Sequence, residues 1–239
     1  YGYNKTLPYL TAQNAEYNSV YFESFENAYN IGSTCNQVTP SSTNQVYVED
    51  ECFVKNEFPL GHSGYYGYMI GNKPNTTPYQ SLAIDVASSN FSLDAAVAAR
   101  PFSVKFWAKS SCSNNSTDEI ASIICKLRVN LGQGDGKITY LATSGDWHLF
   151  ERIITTSTTG LSAQIALQVS ETCNVDCTQF TIDDVRIQPI DAQMNCYVYD
   201  TKTQQLLASF DDQHFGTYYQ YNEKGQLVRK IIETERGKK

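Results

Sequence analysis

Several features are scarce in this 239-residue chain, and each scarcity excludes a class of protein. No apolar run approaches the roughly 18 residues that a membrane-spanning helix needs, so we expect no membrane insertion. The net charge is -7, and the basic clusters that bind phosphate are missing, which argues against a nucleic-acid partner. The three histidines lie far from the cysteines, so no zinc site is predicted.

Catalytic motifs are missing as well. The sequence has no Gly-x-Ser-x-Gly, and the glycines of 132–136 lack the lysine and helix that follow a phosphate-binding loop. Glycoside hydrolysis needs two facing carboxylates, for which Glu23, Glu26 and Asp183 are available, but nothing marks one of them as an acid in an apolar cleft. We therefore predict that the protein is not an enzyme, with an enzyme fragment or toxin cargo as the remaining alternative.

Alternation of apolar and polar residues recurs along the chain, while helical periodicity is scarce. Tyrosine, which occurs 17 times, is typical of strands, as are the abundant Thr, Val and Ile. The pattern predicts an all-β, antiparallel sandwich with about eight to ten strands. The alternating segments are Val46–Val54, Leu82–Val86, Phe102–Ala108, Ile123–Leu131, Trp147–Ile154, Ala163–Val169 and Phe180–Ile182.

The seven cysteines indicate an oxidising compartment and hence a secreted chain. Neighbouring cysteines give the simplest disulfide prediction, although six cysteines allow roughly 15 connectivities. Reduced, buried cysteines are the alternative. The predicted pairs are Cys35 with Cys52, Cys112 with Cys125, and Cys173 with Cys177, which leaves Cys196 over.

Three short motifs in the first 190 residues carry a family resemblance. Phe25-Glu26, then His62-Ser-Gly64, then Ile182-Asp-Asp-Val185 resemble, in order and spacing, landmarks of galactose-binding-like jelly rolls. That superfamily includes carbohydrate-binding modules and MAM-type adhesion domains, in which the three motifs come together in space. The resemblance implies a structural Ca²⁺ between Glu26 and Asp183, with backbone carbonyls near Ser63 and Gly64 as further ligands.

The residues around the paired aspartates point independently to an unusual strand. Phe180 and Ile182 share one parity, whereas Val185 and Ile187 take the other, so the apolar face switches across Asp183 and Asp184. A β-bulge would produce this switch. It could turn a carboxylate inward, where a bound cation would offset the cost of burial. A solvated acidic turn, or a surface pair between Asp184 and Arg186, is the alternative.

A second resemblance begins after Pro189. Tyr197-Val-Tyr-Asp200 and Tyr219-Gln-Tyr-Asn222, the latter followed by Gly225 and Leu227, resemble YD repeats of the RHS type. The second copy has Asn222 where Asp is usual, and residues 222–225 are predicted to form a hairpin turn. The resemblance implies an insert in a large, secreted or surface-bound bacterial repeat protein. The expected division is 1–18 as a lead-in, 19–190 as the jelly-roll sandwich and 191–239 as repeat-like strands.

Aromatic rings are the residues that would bind a glycan, by stacking on sugar faces. Trp147 is in phase with Leu149 and is predicted to lie in the core, whereas Trp107 is out of phase with Phe106 and is predicted to point to the opposite face. Trp107, Tyr66 and Tyr68 are therefore the candidate ligand-binding residues. We expect a non-catalytic module that binds carbohydrate or a surface protein, or alternatively a structural spacer or cap of the repeat shell.

Overall fold

The computed structural model describes residues 6–16, 19–26, 61–71, 82–85, 100–110, 119–131, 136–154, 164–169, 179–235 and 237–238. The expected strand at Val46–Val54 lies outside these residues, as do all the cysteines except Cys125 and Cys196. The first part of the described chain holds ten strands and one helix: β1 (Leu10–Gln13), β2 (Tyr21–Glu23), β3 (Tyr68–Gly71), β4 (Leu82–Asp85), β5 (Phe102–Ser110), α1 (Glu119–Lys126), β6 (Leu127–Leu131), β7 (Thr139–Ser144), β8 (Trp147–Ile154), β9 (Gln164–Val169) and β10 (Gln179–Pro189).

Five more strands follow Pro189, and the strands form three antiparallel sheets. The central sheet has the order β2-β10-β5-β8-β7, with β3 also paired to β10, and the small sheet has the order β4-β9-β6. The tail sheet has the order β1-β11-β12-β13-β14-β15. Its last five strands are β11 (Gln193–Tyr199), β12 (Leu206–Phe210), β13 (Gly216–Tyr221), β14 (Leu227–Thr234) and β15 (Gly237–Lys238).

The main core brings together apolar side chains of the central and small sheets. On β5, Phe102, Val104 and Phe106 point into this core and are at most 1% exposed, as their alternation predicts. Leu167 of the small sheet packs against the same cluster. The predicted all-β sandwich is therefore confirmed, and its apolar alternation arises because one face of each strand is buried.

The short helix α1 corrects the expectation of one continuous strand over Ile123–Leu131. Only residues 127–131 are extended, while Glu119–Lys126 is helical. Ile120, Ile123 and Ile124 recur at helical spacing, and all three pack on the main core. Over so few residues, the apolar positions 123, 125 and 127 are compatible with a strand or with a helix, so the spacing alone could not decide between the two. No helix in the described ranges is long and apolar enough to span a membrane.

The tail sheet covers the second face of the central sheet. Trp107, Trp147 and Leu149 of the central sheet form a cluster on that face, and Phe215, which precedes β13, packs against it. Farther along, Val20 and Phe22 share a cluster with residues of the tail sheet: Met194, Cys196, Val198, Ala208 and Phe210. The fold is thus layered, with apolar side chains on both faces of the central sheet.

Two hairpin turns of the tail sheet are each held by a side-chain oxygen of the residue that opens the turn. The Asp200 side chain accepts hydrogen bonds from the backbone amides two and three residues later, at 2.8 and 2.6 Å. The Asn222 side chain accepts from the amides two and four residues later, at 3.0 and 2.9 Å. Gln204 and Gly225 supply the positive φ that each turn needs, 59° and 75°. The predicted turn at 222–225 is confirmed, and asparagine fulfils the same role as aspartate because both offer a side-chain oxygen.

Candidate functional site

The paired aspartates lie at a break in the middle of β10. β3 pairs with residues 179–182, before the aspartates, and β2 pairs with residues 185–187, after them. The register with β5 shifts between Asp183 and Arg186, and Asp184 has a φ of 50°. The predicted β-bulge is therefore confirmed. Both carboxylates lie inside the protein at this bulge, where Asp183 and Asp184 are each 0% exposed.

Two backbone segments meet the carboxylates that the sequence motifs single out. The Asp183 carboxylate accepts a hydrogen bond from the His62 amide at 2.7 Å. The Glu26 carboxylate accepts from the amides of Tyr65 and Tyr66, at 2.6 and 2.7 Å. Residues 61–66 thus lie between Glu26 and β10, so the three motifs of the sequence form one site. Phe25, beside Glu26, has a φ of 58°, a conformation that surrounding contacts must hold in place.

The glycine of the His-Ser-Gly motif is required by its distance from Glu26. A Cβ added to Gly64 would lie 2.4 Å from the Glu26 carboxyl carbon and Oε1. We expect Gly64→Ala to push Glu26 away from its two amide donors and to lower the free energy of unfolding by about 1–3 kcal/mol. Urea denaturation measures this change.

Gly145→Ala is the matched control for the Gly64 variant. Gly145 has a φ of 59° and no atom within 4 Å of an added Cβ, so an alanine there clashes with nothing and costs only the strain of a left-handed backbone, about 1–2 kcal/mol. If Gly64→Ala costs no more than Gly145→Ala, then the close approach of Gly64 to Glu26 does not matter to the fold.

The two candidate calcium ligands are buried and close enough to repel each other. Burial raises the pKa of Glu26 well above its ordinary value; its amide donors lower this pKa, and the Asp183 carboxylate raises it. Burial also raises the pKa of Asp183, to about 8, against the lowering effect of its amide donors. Within the described ranges, no lysine or arginine forms an ion pair with either carboxylate. The raised pKa values mean that the carboxyl groups tend to hold protons at neutral pH, and a bound cation would have to displace them.

The carboxyl groups of Glu26 and Asp183 offer oxygen atoms, the ligands that a hard cation prefers. Among the described residues, no group of three or more His, Cys, Asp or Glu side chains is placed to hold a metal ion. Ca²⁺ takes six to eight oxygens, so two carboxylates would supply part of its shell and backbone carbonyls and water would have to supply the rest. A transition-metal site would need more nitrogen or sulfur ligands than these two residues offer.

His62 occupies the centre of a second, adjoining cluster. Its Nδ1 lies 2.9 Å from Asp184 Oδ2, and its Nε2 lies 2.9 Å from Glu233 Oε1. The ring stacks on Trp107, with ring centroids 4.0 Å apart. The side chains of all three polar residues are 0% exposed, so the imidazole joins two buried carboxylates in a dry setting.

Glu233 brings the tail sheet into this cluster. Its Oε2 accepts hydrogen bonds from the Gly216 amide at 2.9 Å and the Tyr218 hydroxyl at 3.1 Å. Burial acts to raise the pKa of Glu233, but the neighbouring imidazole of His62 and the hydrogen bonds outweigh it and hold the pKa at about 2. Burial lowers the pKa of His62 itself, so at neutral pH the ring links Glu233 to Asp184 on the central sheet by hydrogen bonds and not as a full cation. We call the set Asp184, His62, Tyr218 and Glu233 the His62 cluster.

Arg186 makes another polar link between the same two sheets. It is 0% exposed, and its guanidinium donates to the backbone carbonyls of Asp211 and Asp212, at 2.7 and 3.2 Å. The alternative of a surface pair with Asp184 is therefore wrong: Arg186 reaches the loop between β12 and β13. The central sheet and the tail sheet are joined by buried charged groups as well as by apolar contacts.

The rings predicted to bind a ligand are mostly buried. Trp107 does point away from the main core, as predicted, but it is 0% exposed, and its Nε1 donates to the His214 carbonyl of the tail at 3.3 Å. Tyr68 is also 0% exposed and stacks on Phe25, with centroids 5.6 Å apart. Tyr66 is half-buried against the main core. Trp107 and Tyr68 thus offer no ring face to a sugar, while Tyr65 is 47% exposed.

The two described cysteines differ in state. Cys125 forms a disulfide, and its predicted partner Cys112 lies outside the described residues. Cys196 is a free, buried thiol whose pKa is raised by burial to about 12. Cys196 therefore behaves as a small apolar side chain within the tail sheet. All three predicted pairings stay predictions.

A hydroxyl, an imidazole and a carboxylate also line up at the edge of the central sheet. Thr143 Oγ1 lies 2.8 Å from His148 Nδ1, and His148 Nε2 lies 3.6 Å from Glu119 Oε2. The same hydroxyl bonds to Tyr140, and Glu119 also accepts from the Ser110 amide at 2.6 Å. These contacts tie α1 to the ends of β5 and β8, which is a structural role.

Sequence reasoning missed Glu233 and Tyr218, although a weak signal exists. Ile231 pairs with Tyr218, and Glu233 has the same parity as Ile231, so it points to the same side of the tail sheet. An inward-facing glutamate on a strand requires a partner. Its partner, His62, is distant in sequence, and nothing local identifies it.

Comparison with known proteins does not assign the chain to a family. No protein-family model matches the sequence, and no curated protein is significantly similar to it. The two resemblances therefore remain predictions, and the geometry of the described residues carries the functional argument.

Proposed function

We propose that the chain is a non-catalytic module of a large secreted or surface-bound bacterial protein of the RHS/YD-repeat type, with the sandwich inserted into a repeat-like sheet. The pairing of β1 with β11 carries this proposal: Leu10 lies opposite Cys196, and Gln13 lies opposite Gln193. The chain thus enters and leaves the sandwich through neighbouring strands of one sheet. A domain can be inserted into a host sheet without disturbing it only if the two ends of the domain lie close together.

The tail hairpins support the repeat part of the proposal. At both turns, Asp200 and Asn222, the side-chain oxygen accepts hydrogen bonds from backbone amides of the turn, and each residue follows a Tyr-x-Tyr strand end. Consecutive hairpins that share a turn chemistry are expected of a repeat whose units stack side by side.

A structural role is the function that the geometry supports best. Trp107 and Trp147 are covered by the tail sheet, so this face of the sandwich serves to fix the insert to its host. The side chains of His62, Asp184 and Glu233 are 0% exposed, so a substrate cannot reach the ring. We infer that the sandwich caps or spaces the repeat-like sheet.

Adhesion to a glycan or a surface protein is the second candidate, because Tyr65 is 47% exposed beside the half-buried Tyr66. A glycan array probed with the full chain separates the two functions. A structural insert gives no signal above a Tyr65→Ala control. A glycan signal that Tyr65→Ala abolishes would overturn the structural role in favour of adhesion.

We further propose that Ca²⁺ binds between Glu26 and Asp183 and stabilises the fold. Calcium at a hundredfold excess over its dissociation constant adds about 2.7 kcal/mol, which for a chain of this size is a rise in Tm of about 5–10 °C. Differential scanning calorimetry with Ca²⁺ and with EDTA measures the shift. Glu26→Gln, which keeps an oxygen for the two amides, is expected to abolish it.

Calcium binding is also expected to release protons. Because the pKa of Asp183 lies at about 8 in the folded chain, this carboxyl holds a proton for much of the time at pH 7. Ca²⁺ must displace that proton, so its affinity rises between pH 6 and pH 8. Titration calorimetry in buffers of different ionisation enthalpy detects the release. No heat of binding, together with an unchanged Tm in EDTA, would contradict the calcium proposal.

A further inference from the structure

His214 is a buried histidine that lies outside both the candidate calcium site and the His62 cluster. It belongs to the loop of residues 211–215, between β12 and β13, and it is 0% exposed. The imidazole stacks on Phe210, with ring centroids 5.2 Å apart. Neither ring nitrogen has a hydrogen-bond partner of good geometry among the described residues. Because nearly all buried polar groups are paired, this ring requires an explanation.

The loop that carries His214 is docked on the central sheet in a strained form. The backbone φ of His214 is 73°, in the left-handed region that few residues other than glycine adopt. Its carbonyl accepts the hydrogen bond from Trp107 Nε1, and the next residue, Phe215, packs on the Trp107 ring with centroids 6.4 Å apart. Contacts with Trp107 thus help to hold a conformation that costs the loop strain.

The charged groups that act on the imidazole are positive. Arg186 of β10, Lys105 of β5 and His62 of residues 61–66 each lower the pKa of His214. The carboxylates of the neighbouring elements are engaged elsewhere, and none of those in the described ranges forms an ion pair with His214. Asp212 lies 3.4 Å from Arg186, Glu151 lies 3.9 Å from Lys105, Asp184 and Glu233 each lie 2.9 Å from His62, and Asp211 accepts from the Phe215 amide at 2.9 Å.

A protonated ring at this position has no anion to stabilise it. Burial, together with the charges of Arg186 and Lys105, holds the pKa of His214 well below its ordinary value, while the backbone of Asp184 has a smaller, opposite effect. The docked ring is therefore neutral at pH 7. Once the loop opens and the ring meets water, its pKa returns to about 6.5. As the pH falls below that value, the open loop takes up a proton that the docked loop does not, so acid favours the open loop.

We propose that His214 is an acid-sensitive latch: below about pH 6.5, a proton on its ring releases the 211–215 loop from the central sheet and uncovers Trp107. The strained backbone of His214 favours release as well, because the open loop can adopt an ordinary φ. β12 and β13 stay paired on either side of the loop. The latch acts at the contact between the two sheets, so it does not depend on the function proposed for the sandwich.

Hydrogen exchange on the full chain at several pH values tests the latch, because the His214 amide donates to the Asp211 carbonyl at 3.1 Å in the docked loop. After correction for the intrinsic pH dependence of exchange, the opening equilibrium of residues 211–215 is expected to rise by up to about tenfold between pH 6 and pH 5. Acrylamide quenching of tryptophan fluorescence is expected to rise over the same range, since both tryptophans of the chain belong to the covered cluster.

Two variants remove the titrating ring by different means. His214→Asn introduces a residue that tolerates a positive φ, and His214→Phe keeps a ring that can stack on Phe210. Both are expected to show an opening equilibrium that does not change from pH 6 to pH 5, and each serves if the other fails to fold. The matched control is His148→Phe, which removes a buried histidine with a carboxylate neighbour at 3.6 Å and is expected to keep the acid response of the parent.

Three results would overturn the latch. The first is an opening of residues 211–215 in the parent that does not depend on pH. The second is an acid response that persists unchanged when His214 is replaced. The third is a loss of the strand signal in circular dichroism that accompanies the opening, because acid would then unfold the whole chain instead of releasing one loop.

Discussion

His62→Ala is expected to lower the free energy of unfolding by about 3–5 kcal/mol, because it leaves two carboxylates buried without their shared partner. Asp184 and Glu233 each lie 2.9 Å from a ring nitrogen of His62, and the side chains are 0% exposed. The variant also removes the ring that stacks on Trp107. Chemical denaturation followed by tryptophan fluorescence measures the change.

His148→Ala is the matched control for the His62 variant, since His148 is also a buried imidazole but has one carboxylate neighbour, at 3.6 Å. We expect this variant to cost about 1–2 kcal/mol. Glu233→Gln made in the His62→Ala background should cost less than it does alone, because the two residues act together. Additive effects of His62→Ala and Glu233→Gln would show that the two side chains do not interact in solution.

Trp107→Ala is expected to lower the free energy of unfolding by about 3–5 kcal/mol, as for other buried aromatic residues. The ring is 0% exposed and contacts His62 on the central-sheet side and Phe215 of the tail. Tyr65→Ala, at a ring that is 47% exposed, should change stability by less than about 0.5 kcal/mol. Thermal denaturation of both variants provides the comparison.

The Trp107 result also bears on function. A ring that binds glycan would be exposed, and its removal would reduce binding while leaving stability nearly unchanged. If Trp107→Ala keeps the Tm of the parent, the tail sheet does not cover the central sheet in solution, and the structural role proposed for that face fails.

Alternation in the sequence predicted β4, β5, β8, β9 and β10, because burial of one strand face forces period two, but it did not predict β2, β3 or β7. It placed Phe102, Val104 and Phe106 in the core, and it put Trp107 on the opposite face. It could not show that another sheet covers that face. Alternation shows which face of a strand a side chain lies on. It does not show what packs on that face, because the covering element comes from a distant part of the chain.

For the candidate site, too, the features that are local in sequence could be predicted and the long-range contacts could not. The switch of apolar parity across Asp183 and Asp184 predicted the bulge, because both sides of the break are local in sequence. Glu233, by contrast, is 171 residues away from His62 in the sequence, and only the tertiary fold brings them together. Nothing local in the sequence after residue 190 indicates that Tyr218 and Glu233 reach His62 beside the central sheet.

Hydrogen exchange measured by mass spectrometry on the full chain tests most directly whether the sandwich and the tail sheet form one cooperative unit. Amides of β11 to β13 and of β5 and β10 are expected to exchange with the same free energy of opening, because opening either sheet exposes the His62 cluster and Trp107. His62→Ala should lower both values together. A tail sheet that exchanges at a much lower free energy than β5 and β10, with the sandwich unaffected by His62→Ala, would contradict the account.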